Sequence, residues 1–339
     1  MKPTYVTITA KSRPGAFLIV HAFTCFTKQV YYLCMNSRKS TKLSLLNSAG
    51  EWRTIAVVVA VYAGVFAVAM NHEALTPWLA IPLLGVLGAW HLSMQHELLH
   101  GHPFNRQWMN DFVGSIPVTL WIPYLSFKRD HLEHHVSDLT HPGLDNESYY
   151  VSPEAWAKAG KLKRAAFWAN RTILFRMFIW VFVSTTTYLW SKVRLMARGD
   201  RSTWVEVLFH CVGLVVVVYF VRSIAEMPLW QFALGTTYGG RILNAIRPFP
   251  EHRYMAGTET RTAMIMAGPV MSLLMLNNNL HIAHHAEPHV SWYEVPKLSR
   301  RVNAVERARE AGLLYEGGYA EVFRKFSFKP MGAPVREGA

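Results

Sequence analysis

The chain carries 16 histidines, and most of them fall into three short clusters. The first reads HELLHGH, with His96 and His100 four apart; the second is HLEHH, with His131, His134 and His135; the third is HIAHH, with His281, His284 and His285. Residues three and four apart share one face of a helix, so each cluster aims its imidazoles in a single direction. A stripe of neutral imidazoles is a donor set for a metal ion. Two histidines at helical spacing can be no more than a polar cap, so the first cluster alone says little. The H-x-x-H-H pattern occurring twice beside it makes coincidence remote.

The donor set limits the metal. Cys25, Cys34 and Cys211 are far apart and show no C-x-x-C spacing, so any ion here is held by nitrogen and oxygen. Eight histidines exceed the needs of one tetrahedral zinc ion, and structural zinc more often recruits thiolate. Two ions with incomplete shells fit the count. Imidazole suits iron, with positions left open for dioxygen, although spacing by itself does not name the metal. His252, in the stretch IRPFPEHR, is expected as a ninth donor because it follows directly on an expected membrane span. Ligand imidazoles usually donate their second N–H to an acidic or carbonyl partner. Glu97, Asp130, Glu133, Asp138, Glu251 and Glu287, all close in sequence to the ligands, are the candidates.

These clusters must be positioned by a membrane scaffold. Hydrophobic residues make up 51% of the chain and charged ones 17%, against roughly 25% charged in a soluble domain. Residues 54–70 and 77–95 are uncharged apolar runs joined by a short turn, each long enough for a bilayer core of about 30 Å. Downstream, three apolar stretches compete: 177–190, 204–221 and 228–246. The segment between the first two carries Lys192, Arg194, Arg198 and Arg201 against Asp200 alone, so the positive-inside rule places it in the cytoplasm. The expected fold is therefore all-α, with four spans in two hairpins. The turns bearing Glu73 and Glu226 lie outside, and all three histidine clusters lie in one cytoplasmic helical cap. Residues 177–190 then form an interfacial or buried helix. Residues 1–53 read as a basic cytoplasmic segment, 54–296 as the membrane domain and 297–339 as a cytoplasmic tail covering the cap. The net charge of +13 comes with no nucleic-acid motif. A face against anionic lipid, or a docking surface for an acidic electron carrier, accounts for it.

HELLH, HLEHH and HIAHH, in this order and separated by a helical hairpin, resemble the three histidine boxes of the membrane fatty acid desaturase family over roughly residues 71–296. The stretches EHR at 251–253 and NNNLHIAHHAEPHVSWYEVP from Asn277 are similar to those of bacterial members. The resemblance implies a di-iron centre (Fe2+/Fe3+) using O2 on an acyl chain. It also implies electrons from ferredoxin, or from cytochrome b5 with a reductase, and an integral membrane position, which in a bacterial cell is the inner membrane, with the site facing the cytoplasm. Its box ligands map onto His96, His100, His131, His134, His135, His281, His284 and His285, and its further ligand after the fourth span onto His252.

Removing hydrogen from an unactivated methylene is beyond any side chain, so metal and dioxygen must supply the oxidising power. Desaturation is the expected outcome. Hydroxylation or ketolation of an acyl chain or carotenoid, and decarboxylation to an alkene, are its chemical neighbours. A rival from another class, a non-catalytic metal-binding or transport protein, would line its spans with ionisable ligands. The first span has none, and His210 and Arg241 are the notable candidates elsewhere.

Overall fold

A computed structural model describes residues 45–336. Most of the basic segment expected over 1–53 lies outside the described residues, as do the last three residues of the tail. What is described is mainly helical, with one short two-stranded parallel pairing of Met264–Ile265 with Leu314–Tyr315.

Among the described residues, four helices are long and apolar enough to cross a membrane: Ala49–Met70, His72–Leu99, Ile173–Ala197 and Arg201–Ile224. The first two cover the apolar runs expected over 54–70 and 77–95. Helix α1 (Trp52–Met70) meets α2 (His72–Leu99) at Asn71, and α2 breaks at Thr76, whose φ is 59°. Pro77 disfavours the helical conformation in the residue before it, which explains the position of the break. From Val65, Val68 and Ala69 the chain packs on Ala80, Leu84, Val221, Met227 and Phe232, an apolar cluster at the end of the hairpin remote from the histidines.

The later helices depart from the expected pattern. Residues 177–190, expected as a short interfacial or buried helix, lie within a 25-residue helix, α3 (Ile173–Ala197). The polar flanks 191–197 continue the helix rather than ending it. The stretch expected over 228–246 is helical across 229–245 (α5) but is not among the four long apolar helices. It is shorter, carries Arg241, and is wound as a π-helix over Ala233–Gly239.

Contacts give each helix its direction. Helix α4 (Arg201–Ile224) starts beside the second histidine cluster, where Glu206 accepts from Arg129 at 2.8 Å, and runs to Val217 and Val221 in the remote apolar cluster. Helix α5 returns alongside α2 in the same sense, Gly239 against Gly85 and Gly240 against Gly88. Helix α3 touches the histidine-bearing layer with both ends. Arg176 lies 3.8 Å over the Tyr149 ring, and Lys192 reaches Asp130 at 2.6 Å.

Beyond the long helices, the second cluster rides on α6 (Tyr124–His134) and the third on α7 (His281–Ala286). The tail packs beneath α7 through Leu298, Ala304 and Ala308 against Ile282 and Ala283. Arg336 closes the layer onto Asp138 at 3.2 Å.

The α2–α5 contact depends on small residues, as close helix packing in membranes does. A β-carbon at Gly88 would collide with the Thr236 carbonyl, and one at Gly240 would come within 2.8 Å of the Gly88 backbone. Gly88→Val is therefore expected to lower the thermal unfolding midpoint in detergent, at a cost of about 1–3 kcal/mol from overpacking. Gly268→Ala, with nothing within 4 Å of the new carbon, is the matched control and should leave the midpoint unchanged.

Candidate metal centre

The nine expected histidines converge. They form two groups, His96, His100, His131, His135 and His284 in one, and His134, His252, His281 and His285 in the other. Within each group the candidate ligand atoms all lie within 4.8 Å of one another. All nine are buried except the half-buried His135 and His285. The groups abut, with the His135 and His285 rings 4.3 Å apart between centroids.

Local structure explains the division. On α6, His131 and His135 fall four apart and turn to the five-membered group, while His134, one residue before His135, turns to the other. The same split separates His284 from His281 and His285 on α7. Each H-x-x-H-H cluster thus serves both groups. His252 enters the four-membered group from the short helical turn after α5.

The nitrogens face one another. His252 Nε2 lies 3.0 Å from His134 Nε2 and 2.9 Å from His281 Nε2, and His281 Nε2 lies 3.1 Å from His285 Nε2. In the other group His135 Nε2 lies 3.1 Å from both His131 Nε2 and His284 Nε2. The outer nitrogens of three rings are committed as donors: His134 Nδ1 to Asp145 at 2.7 Å, His131 Nδ1 to Glu147 at 2.8 Å and His281 Nδ1 to Asn278 Oδ1 at 3.0 Å. Their Nε2 atoms, when neutral, are then lone pairs pointing inward. Several lone pairs meeting at hydrogen-bond distance have no partner but a shared proton or a cation. A metal–imidazole bond is roughly 2.1 Å, so two nitrogens at a right angle around one ion sit about 3.0 Å apart. The observed edges fit that arrangement. His100, His135 and His252 add buried ring nitrogens with no hydrogen-bond partner among the described residues.

Electrostatics favour the same state. Burial first, and neighbouring imidazoles second, hold His100, His135, His252, His281, His284 and His285 well below the usual imidazole value, so these rings are neutral donors. Burial opposes charge on His134 too, but the Glu147 and Asp145 carboxylates outweigh it and raise its pKa. Burial alone would raise Glu147, yet His134 and His131 hold it below the usual carboxylate range. Negative charge is thus stored beside neutral nitrogens, where it offsets the charge of an ion.

The family model for fatty acid desaturase matches residues 73–317, which include every one of these histidines. The chain belongs to the fatty acid desaturase family. An sn-1 oleoyl-lipid 12-desaturase from Anabaena variabilis is 24% identical over 250 residues, covering 66% of this chain and 68% of that one.

In this desaturase-family chain the carboxylates that reach the imidazoles are not, in the main, those expected from proximity in sequence. Of the six, Glu251 comes nearest, 3.6 Å from His281 Nδ1, and it also pairs with Arg247 at 3.1 Å. Burial pushes Glu251 up to about 7 against the pull of Arg247. Glu97 accepts from the Trp292 N–H, Asp130 holds Lys192, Asp138 holds Arg336 and Glu287 holds Arg301. Glu133 is half-buried on α6. The partners are instead Asp145 and Glu147, 11 and 16 residues along the chain from the histidines they hold, together with Asn278. The signal available in the sequence was the acidic DNE triplet behind the HPG turn, where Asp145 N bonds to His141 O at 3.0 Å and folds the loop back. His91 and His102, which complete no helical stripe, are engaged elsewhere, His91 with Ile116 O and His102 with Glu51.

Outer-sphere carboxylates typically change metal affinity 10–100-fold. Asp145→Asn and Glu147→Gln are each expected to weaken metal binding by about that factor, measured by chelator competition on the purified chain. An unchanged affinity in both would mean that these carboxylates do not support the ligands.

Proposed function

We propose that this chain is an oxygen-dependent di-iron enzyme that introduces a double bond into a lipid acyl chain. The observation that carries this reading is the double group of nine converging imidazoles in a chain of the desaturase family. His96, His100, His131, His135 and His284 would hold one iron, and His134, His252, His281 and His285 the other. Nitrogen donors without thiolate, at edges that suit right-angled coordination, support iron over structural zinc. Iron, when bound, supplies with dioxygen the oxidising power that side chains lack.

The residues of the chain do the rest. Asp145, Glu147 and Asn278 keep protons on Nδ1 of His134, His131 and His281, so that Nε2 stays bare. The apolar helix layer holds the acyl chain and excludes water at the ends of α2 and α5. The balance requires an electron carrier: one dioxygen takes two electrons and two protons from the adjacent methylenes, two more electrons from the carrier and two protons from water. It leaves an alkene and two waters. Ferredoxin, or cytochrome b5 with its reductase, is the donor class proposed. The Anabaena variabilis relative acts, by its name, on an oleoyl lipid, which supports a lipid-linked acyl substrate here.

The proposed topology keeps two hairpins, α1–α2 and α4–α5, with α3 lying along the interface. Its support is that both ends of α3 touch the histidine-bearing layer while α4 and α5 each run between that layer and the remote apolar cluster. The layer then forms a cytoplasmic cap, on the side of the cationic 191–203 segment. In a background without natural cysteines, cysteines placed at Glu73 and Glu226 should react from the opposite side of sealed vesicles to cysteines at Arg198 and Glu306. Labelling of Arg198 and Glu306 from different sides would refute this topology.

Incubating membranes with reductant and air, followed by gas chromatography and mass spectrometry of total lipid, should give new double bonds in acyl chains. The purified enzyme should contain about two iron atoms per chain. Hydroxylated or keto products without new double bonds, or active enzyme with stoichiometric zinc, would overturn the proposal.

A further inference from the structure

A short strap ahead of α1 is tied to the loops that follow the first and third histidine clusters. Asn105 N bonds to Leu45 O at 3.1 Å, Leu46 pairs with Phe104, and Asn47 N bonds to Pro103 O at 3.0 Å. The Asn47 side-chain amide also donates to Gly101 O. On its other side the strap meets the third-cluster loop. Ser48 Oγ lies 3.1 Å from Tyr293 OH, Gly50 lies against the Tyr293 ring, and Arg53 stacks on that ring. The strap ends at Glu51, which is completely buried and joins both loops through one carboxylate. His102 Nδ1 and Ser291 Oγ donate to its Oε1 at 2.6 and 2.9 Å, and Thr54 donates to Oε2 at 2.8 Å. His102 Nε2 reaches the His289 carbonyl at 3.0 Å, and Glu97 accepts from Trp292 N at 3.1 Å.

His100 explains why this matters. Its ring is buried, and neither nitrogen has a hydrogen-bond partner among the described residues. His131, His134 and His281 are each aimed by an outer acceptor, whereas His100 has none and depends on the backbone that carries it. That backbone is the 100–103 turn grasped by the strap. The opposite loop, 289–293, follows His284 and His285 on α7, so one carboxylate fixes the spacing between the two walls of the five-histidine group.

Building on the di-iron reading above, we propose that the 45–51 strap, with Glu51, His102 and Ser291, is a positioning device. It sets His100 against His284 and thereby holds the ion of the five-histidine group. Burying a carboxylate requires that its hydrogen bonds be made, and here all of them are made to residues of these two loops and of α1. Removing the carboxylate leaves His102 and Ser291 without their acceptor and frees the turn that aims His100. The four-histidine group, built from α6, α7 and His252, keeps the outer partners of His134 and His281.

The test is metal binding by the full chain in lipid nanodiscs, stripped by chelator and titrated with cobalt(II). Visible absorption and total metal are read together. Wild type should take up two ions. Glu51→Ala should weaken one of them at least about tenfold, the scale of an outer-sphere loss, and leave the other unchanged. His134→Ala should weaken the other ion, and the double variant should lose both. Should Glu51→Ala fail to fold, the exposed Asn47→Ala combined with Ser291→Ala must show the same one-ion loss. Unchanged binding of both ions in the strap variants, or equal weakening of both, overturns the inference alone. A wild-type chain that takes up no pair of ions overturns the di-iron reading, and the inference with it.

Discussion

Nine imidazoles gathered in two groups, seven of them with ring nitrogens about 3 Å from a neighbouring ring's, form an arrangement that is unfavourable by itself. Lone pairs repel, and burial denies them the water that would otherwise satisfy them. Only a cation shared among them turns the repulsion into binding, so the scaffold must hold the rings together before the ion's energy is available. The outer carboxylates contribute twice. They fix the tautomer that leaves Nε2 free, and they place negative charge where a doubly or triply charged ion would sit.

That demand shapes the helix layer. A cage assembled from four separate chain segments needs helices that end at one level, and a close α2–α5 contact provides two such ends. Small residues at Gly85, Gly88, Gly239 and Gly240 let the backbones approach, which is how helices associate where lipid competes equally for apolar side chains. The π-wound turns in α5 admit this approach and deliver the chain to His252. Helix α3 is tied through Arg176 and Lys192 to residues flanking the second cluster, so this helix also bears on the cage.

The polar interior around the cage is consequently dense. Glu51, Asp145, Glu147 and Glu251 all lie in or beside it, each with cationic or N–H partners. Such a network specifies one arrangement, because a partly satisfied version would leave charges buried and unpaired. The loops between helices, elsewhere the most variable parts of a fold, are here crosslinked by hydrogen bonds to positions as far away as Ser291 from Glu51.

The sequence by itself determined the three histidine stripes, the nitrogen donors they offer, the first two long apolar helices and the helical class. Helical faces and apolar runs are written in local spacing, where residues three and four apart, or twenty in a row, carry the signal. His252 was legible too, from its place at the end of an apolar stretch. Only the tertiary structure decided the five-and-four division of the imidazoles, the choice of Asp145, Glu147 and Asn278 over nearer carboxylates, the extension of residues 177–190 into a long helix, and the clasp at Glu51. These depend on which distant backbones meet and which loop folds back. Long-range juxtaposition of that kind leaves no periodic trace in the order of residues.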